Sequence, residues 1–125
     1  MAGQLSVTIV EAKELKDEDT VTGANDAYVE VYLDDDYKQR TATISNSNNP
    51  QWNETFQFRV EEKQDHLHIK VYDDDGPTDR DSIGSAKIKL ASVKQTGTFD
   101  DWVKLPKLMG LKSSGTVHVR MTFHA

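Results

Sequence analysis

Alternating apolar and polar residues run through most of the chain, and this pattern predicts β-strands. The clearest stretch is near the C terminus, where Val117, Val119, Met121 and Phe123 alternate with polar residues. A period of two puts one set of side chains on a buried face and the other on a solvent face. The same pattern occurs at residues 5–9, 29–33, 56–60 and 67–71, and weaker runs cover 37–43, 83–90 and 102–105.

Turn-rich segments separate these eight runs, and no long amphipathic helix pattern is present. Residues 91–95 favour only one short turn. Eight strands at this spacing are typical of an antiparallel β-sandwich. Because 125 residues make one ordinary domain, we expect a single all-β domain over residues 1–125.

The composition narrows the classes of partner. A net charge of −6 and an isoelectric point near 5.1 argue against nucleic acid. They also argue against constitutive binding to an anionic membrane, unless a bound cation reverses the local charge. The absence of cysteine excludes disulfides and thiolate metal sites. No nucleophile elbow, phosphate loop, zinc motif or kinase motif is present, so we do not expect an enzyme.

Five aspartates in two predicted loops are the candidate cation ligands. Asp19 and Asp26 lie in the first segment, and Asp73, Asp75 and Asp81 lie in the second. Clustered carboxylates repel one another unless a cation lies between them. Their hard oxygens suit Ca²⁺, which takes six to eight such ligands at roughly 2.3–2.6 Å. A solvated acidic surface is the alternative interpretation.

The order of the strands predicts that these aspartates meet. If successive strands alternate in direction, the odd-numbered connections emerge at one end of the sandwich. Those connections are residues 13–26, 45–53, 73–82 and 106–114, and they contain both aspartate groups. The acidic run 34–36 falls in an even-numbered connection, so we expect it to be a hairpin turn at the far end.

Four segments together resemble the C2 domain family across essentially the whole chain. Leu5–Leu15 resembles the opening strand of the family, and Asn25-Asp-Ala-Tyr-Val29 resembles its Ser-Asp-Pro-Tyr-Val motif. Asn49-Pro-Gln-Trp-Asn-Glu-Thr-Phe-Gln-Phe58 resembles Asn-Pro-x-Trp-Asn-Glu-x-Phe-x-Phe, and Asp73-x-Asp75 followed by Asp81-Ser-Ile-Gly84 resembles the third-loop pattern. The resemblance implies a C2-like sandwich of type II topology that binds two or three Ca²⁺ and then docks on acidic phospholipid.

The resemblance also implies the metal ligands, residue by residue. Asp26, Asp73, Asp75 and Asp81 match ligand positions of the family. The first loop departs from the usual spacing of six, which selects Thr20 here; Asp19, seven before Asp26, is our choice, with Asp17 as the alternative. In the third loop, Thr78 and Asp79 are further candidate ligands.

A second family feature concerns lipid contact. Lys38-Gln-Arg-Thr-Ala-Thr-Ile44 resembles Lys-x-Lys-Thr, the centre of a lysine-rich cluster that recognises phosphoinositides in some members. Lys38 and Arg40 are two positions apart and therefore lie on one strand face. Arg40 replaces the second lysine, and Ala42 follows Thr41 where the family has another lysine. We expect Lys38 and Arg40 to contact lipid.

Two function classes follow. The first is a calcium-dependent, membrane-binding module that is monomeric and cytoplasmic and associates peripherally with membranes when calcium rises. The second is a calcium-independent protein-interaction module that uses a sheet face. His66 and His68 share a strand face as well, and a solvated face is favoured there over metal chelation.

Overall fold

A computed structural model gives the fold and describes residues 2–15, 24–74, 80–106 and 115–125. These residues form eight strands and one short helix. In chain order they are β1 (Gly3–Lys13), β2 (Ala27–Asp34), β3 (Tyr37–Arg40), β4 (Gln51–Val60), β5 (His66–Asp74), β6 (Arg80–Lys89), α1 (Ala91–Thr96), β7 (Thr98–Lys104) and β8 (Thr116–His124).

The strands build two four-stranded sheets, with orders β4-β1-β8-β7 and β3-β2-β5-β6. Every strand pairing is antiparallel. The predicted eight-stranded antiparallel sandwich is therefore confirmed. The type II assignment stays a prediction.

The core lies between the two sheets and is made by the inward set of each alternating strand. Leu5, Val7 and Ile9 of β1 face Leu67 and Ile69 of β5 across this layer, and all five are fully buried. Burying one such side chain contributes about 1.5–3 kcal/mol. The period-two pattern of the sequence is thus the pattern of the core.

Two elements differ in length from the sequence prediction. The strand expected at 37–43 ends at Arg40, because the next residue bonds differently: the Thr41 hydroxyl accepts a hydrogen bond from the Val29 amide at 2.9 Å. The short turn expected at 91–95 is the six-residue helix α1, which ends at Gly97 with φ 89°. No helix in the described part of the chain has the length and apolar character needed to cross a membrane.

The odd-numbered connections do emerge at one end. In one sheet Lys13 pairs with Thr116, and Thr116 also pairs with Lys104. In the other sheet Ala27 pairs with Asp73. The segment between β3 and β4 forms hydrogen bonds both to Glu14, which follows β1, and to Asn25, which precedes β2. It therefore connects these ends of the two sheets, and we call this end of the sandwich the loop end.

Candidate functional site

Strand pairing brings the backbone positions of three of the predicted aspartates together at the loop end. Asp26 directly precedes β2, whose first residue, Ala27, is paired with Asp73 of β5. Asp73 is in turn paired with Asp81 of β6. Residues 26, 73 and 81 are distant in sequence, so only the sheet register makes them neighbours.

Backbone donors hold two of these carboxylates in place. The Asp26 amide donates to Asp73 Oδ1 at 2.9 Å, and the Asn46 amide donates to Asp26 Oδ1 at 2.7 Å. Asp73 is only 4 % exposed, although it carries a carboxylate. A buried carboxylate needs hydrogen bonds or a cation, and the oxygen-only donor set suits a hard cation such as Ca²⁺.

The remaining candidate ligands, Asp17, Asp19, Asp75, Thr78 and Asp79, lie outside the described residues. Within the part of the chain that is described, no three His, Asp or Glu side chains are close enough to hold a metal. A complete site therefore requires the other predicted acids, and the ligand set stays a prediction.

The segment between β3 and β4 braces both sides of the first loop. Asn48 Oδ1 accepts hydrogen bonds from the Asn25 backbone amide at 3.0 Å and from Asn25 Nδ2 at 2.7 Å. On the other side, Asn49 Oδ1 accepts from the Glu14 amide at 2.9 Å. Glu14 has a positive φ of 55°, a conformation that is uncommon outside glycine. The sequence motif did not reveal these hydrogen bonds from Asn48 and Asn49 to the first loop.

The acidic run 34–36 lies at the opposite end, as expected. It closes the β2–β3 hairpin, and the Asp36 amide donates to Asp34 Oδ1 at 2.9 Å. Such a bond from an aspartate to the amide two residues on is the usual Asx turn. These acids are therefore a structural turn, remote from Asp26 and Asp73.

Lys38 and Arg40 lie on the outer face of the β3-β2-β5-β6 sheet, as the spacing predicted. The Arg40 guanidinium lies 3.6 Å from the ring centroid of Tyr28, and Lys38 Nζ lies 4.9 Å from that of Tyr32. Glu30 lies in the neighbouring strand β2, paired with Arg40. Its Oε1 is 3.6 Å from Lys38 Nζ, so the charge of Lys38 is partly neutralised within the protein.

Three further cations belong to this outer face, namely Lys70, Arg80 and Lys87. The register places Lys70 beside Glu30, and Lys87 beside His68. Arg80 Nη1 donates to Tyr28 Oη at 3.1 Å and to Glu30 Oε2 at 3.3 Å. The sequence analysis missed these cations because their closeness depends on register. We call these three residues, with Lys38 and Arg40, the basic face.

The surroundings shift three pKa values on the basic face. A hydrogen bond to Tyr28 raises the pKa of Arg80, and a hydrogen bond to Tyr32 raises that of Lys70. Burial lowers the pKa of His68, and the charge of Lys87 lowers it further. His68 stacks on Tyr32 with ring centroids 4.8 Å apart. Lys70 and Arg80 are thus cationic at neutral pH, whereas His68 favours its neutral form.

Comparison with known proteins identifies the family of this arrangement. The family model for the C2 domain matches residues 3–105. Synaptotagmin-5 of Arabidopsis thaliana is 34 % identical over 97 % of this chain and 23 % of its own length. Another Arabidopsis protein, named a calcium-dependent lipid-binding protein, is 30 % identical over 98 % of this chain and 25 % of its own length.

A solved structure shows the same fold. The C2A and C2B domains of extended synaptotagmin 2, described as calcium bound, match with a TM-score of 0.84 and 27 % identity. The match covers 97 % of this chain and 45 % of that one. The chain thus spans about a quarter or less of the length of the two Arabidopsis relatives.

Proposed function

The chain belongs to the C2 domain family, and on that premise we propose that it is a calcium-dependent module for binding acidic phospholipid. The observation that carries the proposal is the register that joins Asp26, Asp73 and Asp81 at the loop end. Asp75 and Asp19 complete the proposed ligand set, with Asp17 as the alternative to Asp19. Thr78 and Asp79 are proposed as auxiliary ligands.

The proposed mechanism is a local reversal of charge. Without a cation, the loop end is strongly negative and repels an anionic surface. Two or three bound Ca²⁺ neutralise the carboxylates and supply positive charge to which lipid phosphates bind. The proposal is thus a peripheral, monomeric binding module rather than an enzyme, located in the cytoplasm and recruited when calcium rises.

The basic face supplies a second contact with the lipid in this proposal. Lys38 and Arg40 are solvent-accessible cations next to tyrosine rings. A basic residue near an anionic membrane contributes about 1 kcal/mol. The Arabidopsis relative that is named a calcium-dependent lipid-binding protein supports the same pairing of calcium and lipid.

Thermal unfolding with and without metal tests the calcium step. A ligand that binds only the native state stabilises it, by about 2.7 kcal/mol at roughly 100 times Kd for one site. We therefore expect Ca²⁺ to raise the melting temperature, and Mg²⁺ to do much less because it needs tighter octahedral geometry. Equal shifts with both ions, or no shift with either, would contradict the proposal.

A matched pair of variants tests the location of the site. We expect Asp26→Asn to weaken Ca²⁺ binding by about tenfold or more, equivalent to about 1.4 kcal/mol, and to reduce calcium-dependent sedimentation with phosphatidylserine vesicles. Asp35→Asn removes the same charge from the hairpin at the far end and serves as the control for Ca²⁺ binding alone, because Asp35 lies 3.9 Å from the proposed lipid contact Lys38. Comparable losses in both variants would place the ions elsewhere.

A further inference from the structure

We propose a binding cleft for a small hydroxylated carboxylate on the outer face of the β4-β1-β8-β7 sheet, on the other side of the sandwich from the basic face. The cleft has a volume of about 400 Å³, and its lining includes Thr8, Asn53, Thr55, Arg120 and Thr122. This volume lies in the range of small-ligand sites. The inference is independent of the proposed function, because the cleft shares no residue with the predicted calcium ligands or with the basic face.

Arg120 gives the cleft a positive charge that the described parts of the protein leave unpaired. It is exposed on β8, where the register places it between Thr8 of β1 and Asp100 of β7. Among the residues that the structure describes, no carboxylate oxygen lies within 4 Å of its guanidinium. Asp100 is bonded instead to His118, with Oδ1 2.6 Å from Nε2. An anion can therefore bind Arg120 without displacing a carboxylate from it.

The shape and charge of the guanidinium select the anion. Its planar fork of donors matches the two oxygens of a carboxylate in a bidentate pair. One cation also balances the single charge of a carboxylate. A phosphate monoester carries about 1.5–2 negative charges at pH 7, and the excess would lie next to Asp100 in the neighbouring strand. The cleft therefore favours a carboxylate over a phosphate.

The other polar groups of the cleft suit hydroxyl groups on the same ligand. The Thr8 and Thr55 hydroxyls share one hydrogen bond, with their oxygens 2.8 Å apart, and this bond leaves the pair with more acceptor than donor positions. Thr122 adds another hydroxyl, and the Asn53 amide can both donate and accept. Because a carboxylate only accepts, these acceptors need a ligand that also has O–H donors. A sugar acid such as glucuronate combines both groups.

Strand pairing places these groups within reach of one small molecule. Thr55 pairs with Thr8, and Thr8 pairs with Arg120, so the three side chains form one row across β4, β1 and β8. Directly paired residues on one face have Cβ atoms about 4.5–5.5 Å apart, so roughly 9–11 Å separates the Cβ atoms at the two ends of the row. A six-carbon sugar acid with a hydrogen bond at each end can bridge this distance.

The experiment uses the full chain freed of calcium, so that no probe can bind through a metal at the loop end. NMR follows the Arg120 Nε–H signal and the backbone amides of the cleft during addition of glucuronate, glucose or propionate at equal ionic strength. Glucose has the hydroxyls without the carboxylate, and propionate has the carboxylate without the hydroxyls. The variants are Arg120→Gln and Thr8→Val. The control, Arg59→Gln, removes an equal charge from an exposed position of β4 outside the cleft, and melting temperatures check that each variant is folded.

We expect glucuronate to bind more tightly than either propionate or glucose. Arg120→Gln should weaken glucuronate binding by about tenfold or more, because it removes a charge-assisted pair of hydrogen bonds. Arg59→Gln should bind glucuronate as the native chain does. Thr8→Val should weaken glucuronate binding by about two- to tenfold and leave propionate binding unchanged.

Three results would overturn the inference. Glucose binding as tightly as glucuronate, or equal losses in Arg120→Gln and Arg59→Gln, would show that Arg120 does not hold a carboxylate. Propionate binding as tightly as glucuronate would show that the cleft does not recognise the hydroxyls. An absence of signal changes in the cleft with all three probes would show that it is no binding site. Because calcium is absent throughout, none of these results depends on the proposed calcium site.

Discussion

At the scale of single residues, two carboxylates, those of Asp73 and Glu30, are buried and held by specific contacts. Asp73 is almost fully buried and accepts the Asp26 amide, and Glu30 is buried between two cations on the outer face. The two carboxylates have opposite surroundings. Asp73 lies beside Asp26 and Asp81 at the proposed calcium site, whereas Glu30 already has cationic side chains beside it.

His68 makes the stability of the fold depend on pH. Its pKa is lowered from the ordinary 6.5, chiefly by burial, so the unfolded chain binds this proton more readily than the native chain. The native state should therefore lose stability as the pH falls through 6.5, until the pH passes below the lowered pKa of the folded state.

Urea unfolding at a series of pH values measures this dependence. His68→Gln should flatten the slope of the unfolding free energy in this window, while His124→Gln, an exposed change near the C terminus, should leave it intact. An unchanged slope in His68→Gln would show that another group carries the dependence.

At the scale of elements, the segment between β3 and β4 has a larger role than its lack of regular structure indicates. Asn48 contacts Asn25 through two hydrogen bonds, at 2.7 and 3.0 Å, and Asn25 directly precedes the proposed ligand Asp26. The Ser47 amide adds a bond to the Asn25 carbonyl at 2.8 Å. The segment thus fixes the entry of the chain into β2.

Asn48→Ala should loosen this entry. Removing the partly buried Asn48 side chain deletes two hydrogen bonds to Asn25, at about 0.5–1.5 kcal/mol each and so about 1–3 kcal/mol together. We expect the free energy of unfolding to fall by that amount and the Ca²⁺ affinity to fall with it, although Asn48 is not a proposed ligand. Chemical denaturation and calcium titration measure the two effects.

Ser6→Ala is the matched control for Asn48→Ala. It removes a single side-chain hydrogen bond, from Ser6 Oγ to Gln57 Oε1 at 2.8 Å, on an exposed sheet face. Its effect should remain within about 0.5 kcal/mol, as for most surface changes. A calcium affinity that is unchanged in Asn48→Ala would show that the loop is positioned by other contacts.

The sequence predicted the strands well because each apolar residue in an alternating run marks the buried face of its strand. Val117, Val119 and Met121 are buried as their spacing requires. Alternation of strand direction was enough to bring Asp26 near Asp73. The end of β3 was missed because it depends on one side-chain bond, from the Val29 amide to the Thr41 hydroxyl, that no hydrophobic period encodes.

The basic face shows where sequence reasoning stops. Lys38 and Arg40 were found because they lie two residues apart in one strand. Lys70 and Lys87 come from different strands, and they approach only because His68 is paired with Lys87 and Lys70 with Ser85. Pairing partners and their offset are set by the turns and by the packed core, and neither can be read from the local spacing of charges.

At the scale of the whole molecule, acids and bases are separated on a chain whose net charge is −6. Of the predicted calcium ligands, the described residues Asp26, Asp73 and Asp81 lie at the loop end, and the basic face lies on one side of a sheet. We propose that docking is electrostatic, because the tips of the two aspartate loops, residues 20–23 and 76–78, offer only Val21 as a sizeable apolar side chain. Burying that side chain contributes at most about 1.5–3 kcal/mol.

Salt should therefore release the bound domain. At roughly 1 M salt the Debye length is about 3 Å, which screens exposed charges. Vesicle-bound protein should then dissociate even with Ca²⁺ held at saturation, as sedimentation would measure. Lys38→Ala with Arg40→Ala should weaken binding more than Val21→Ala does. Retention at high salt, together with a strong effect of Val21→Ala, would indicate that a loop inserts into the bilayer.

The pairing of the first and last strands also sets how the domain responds to tension. Gln4 is paired with His124 in adjacent antiparallel strands, so both strands leave the sandwich side by side, at the end away from the loops. A force that separates these ends acts across the ladder and loads its hydrogen bonds one after another. We therefore expect this ladder to unzip at low force from the Gln4–His124 end, with the loop end the last part of it to open.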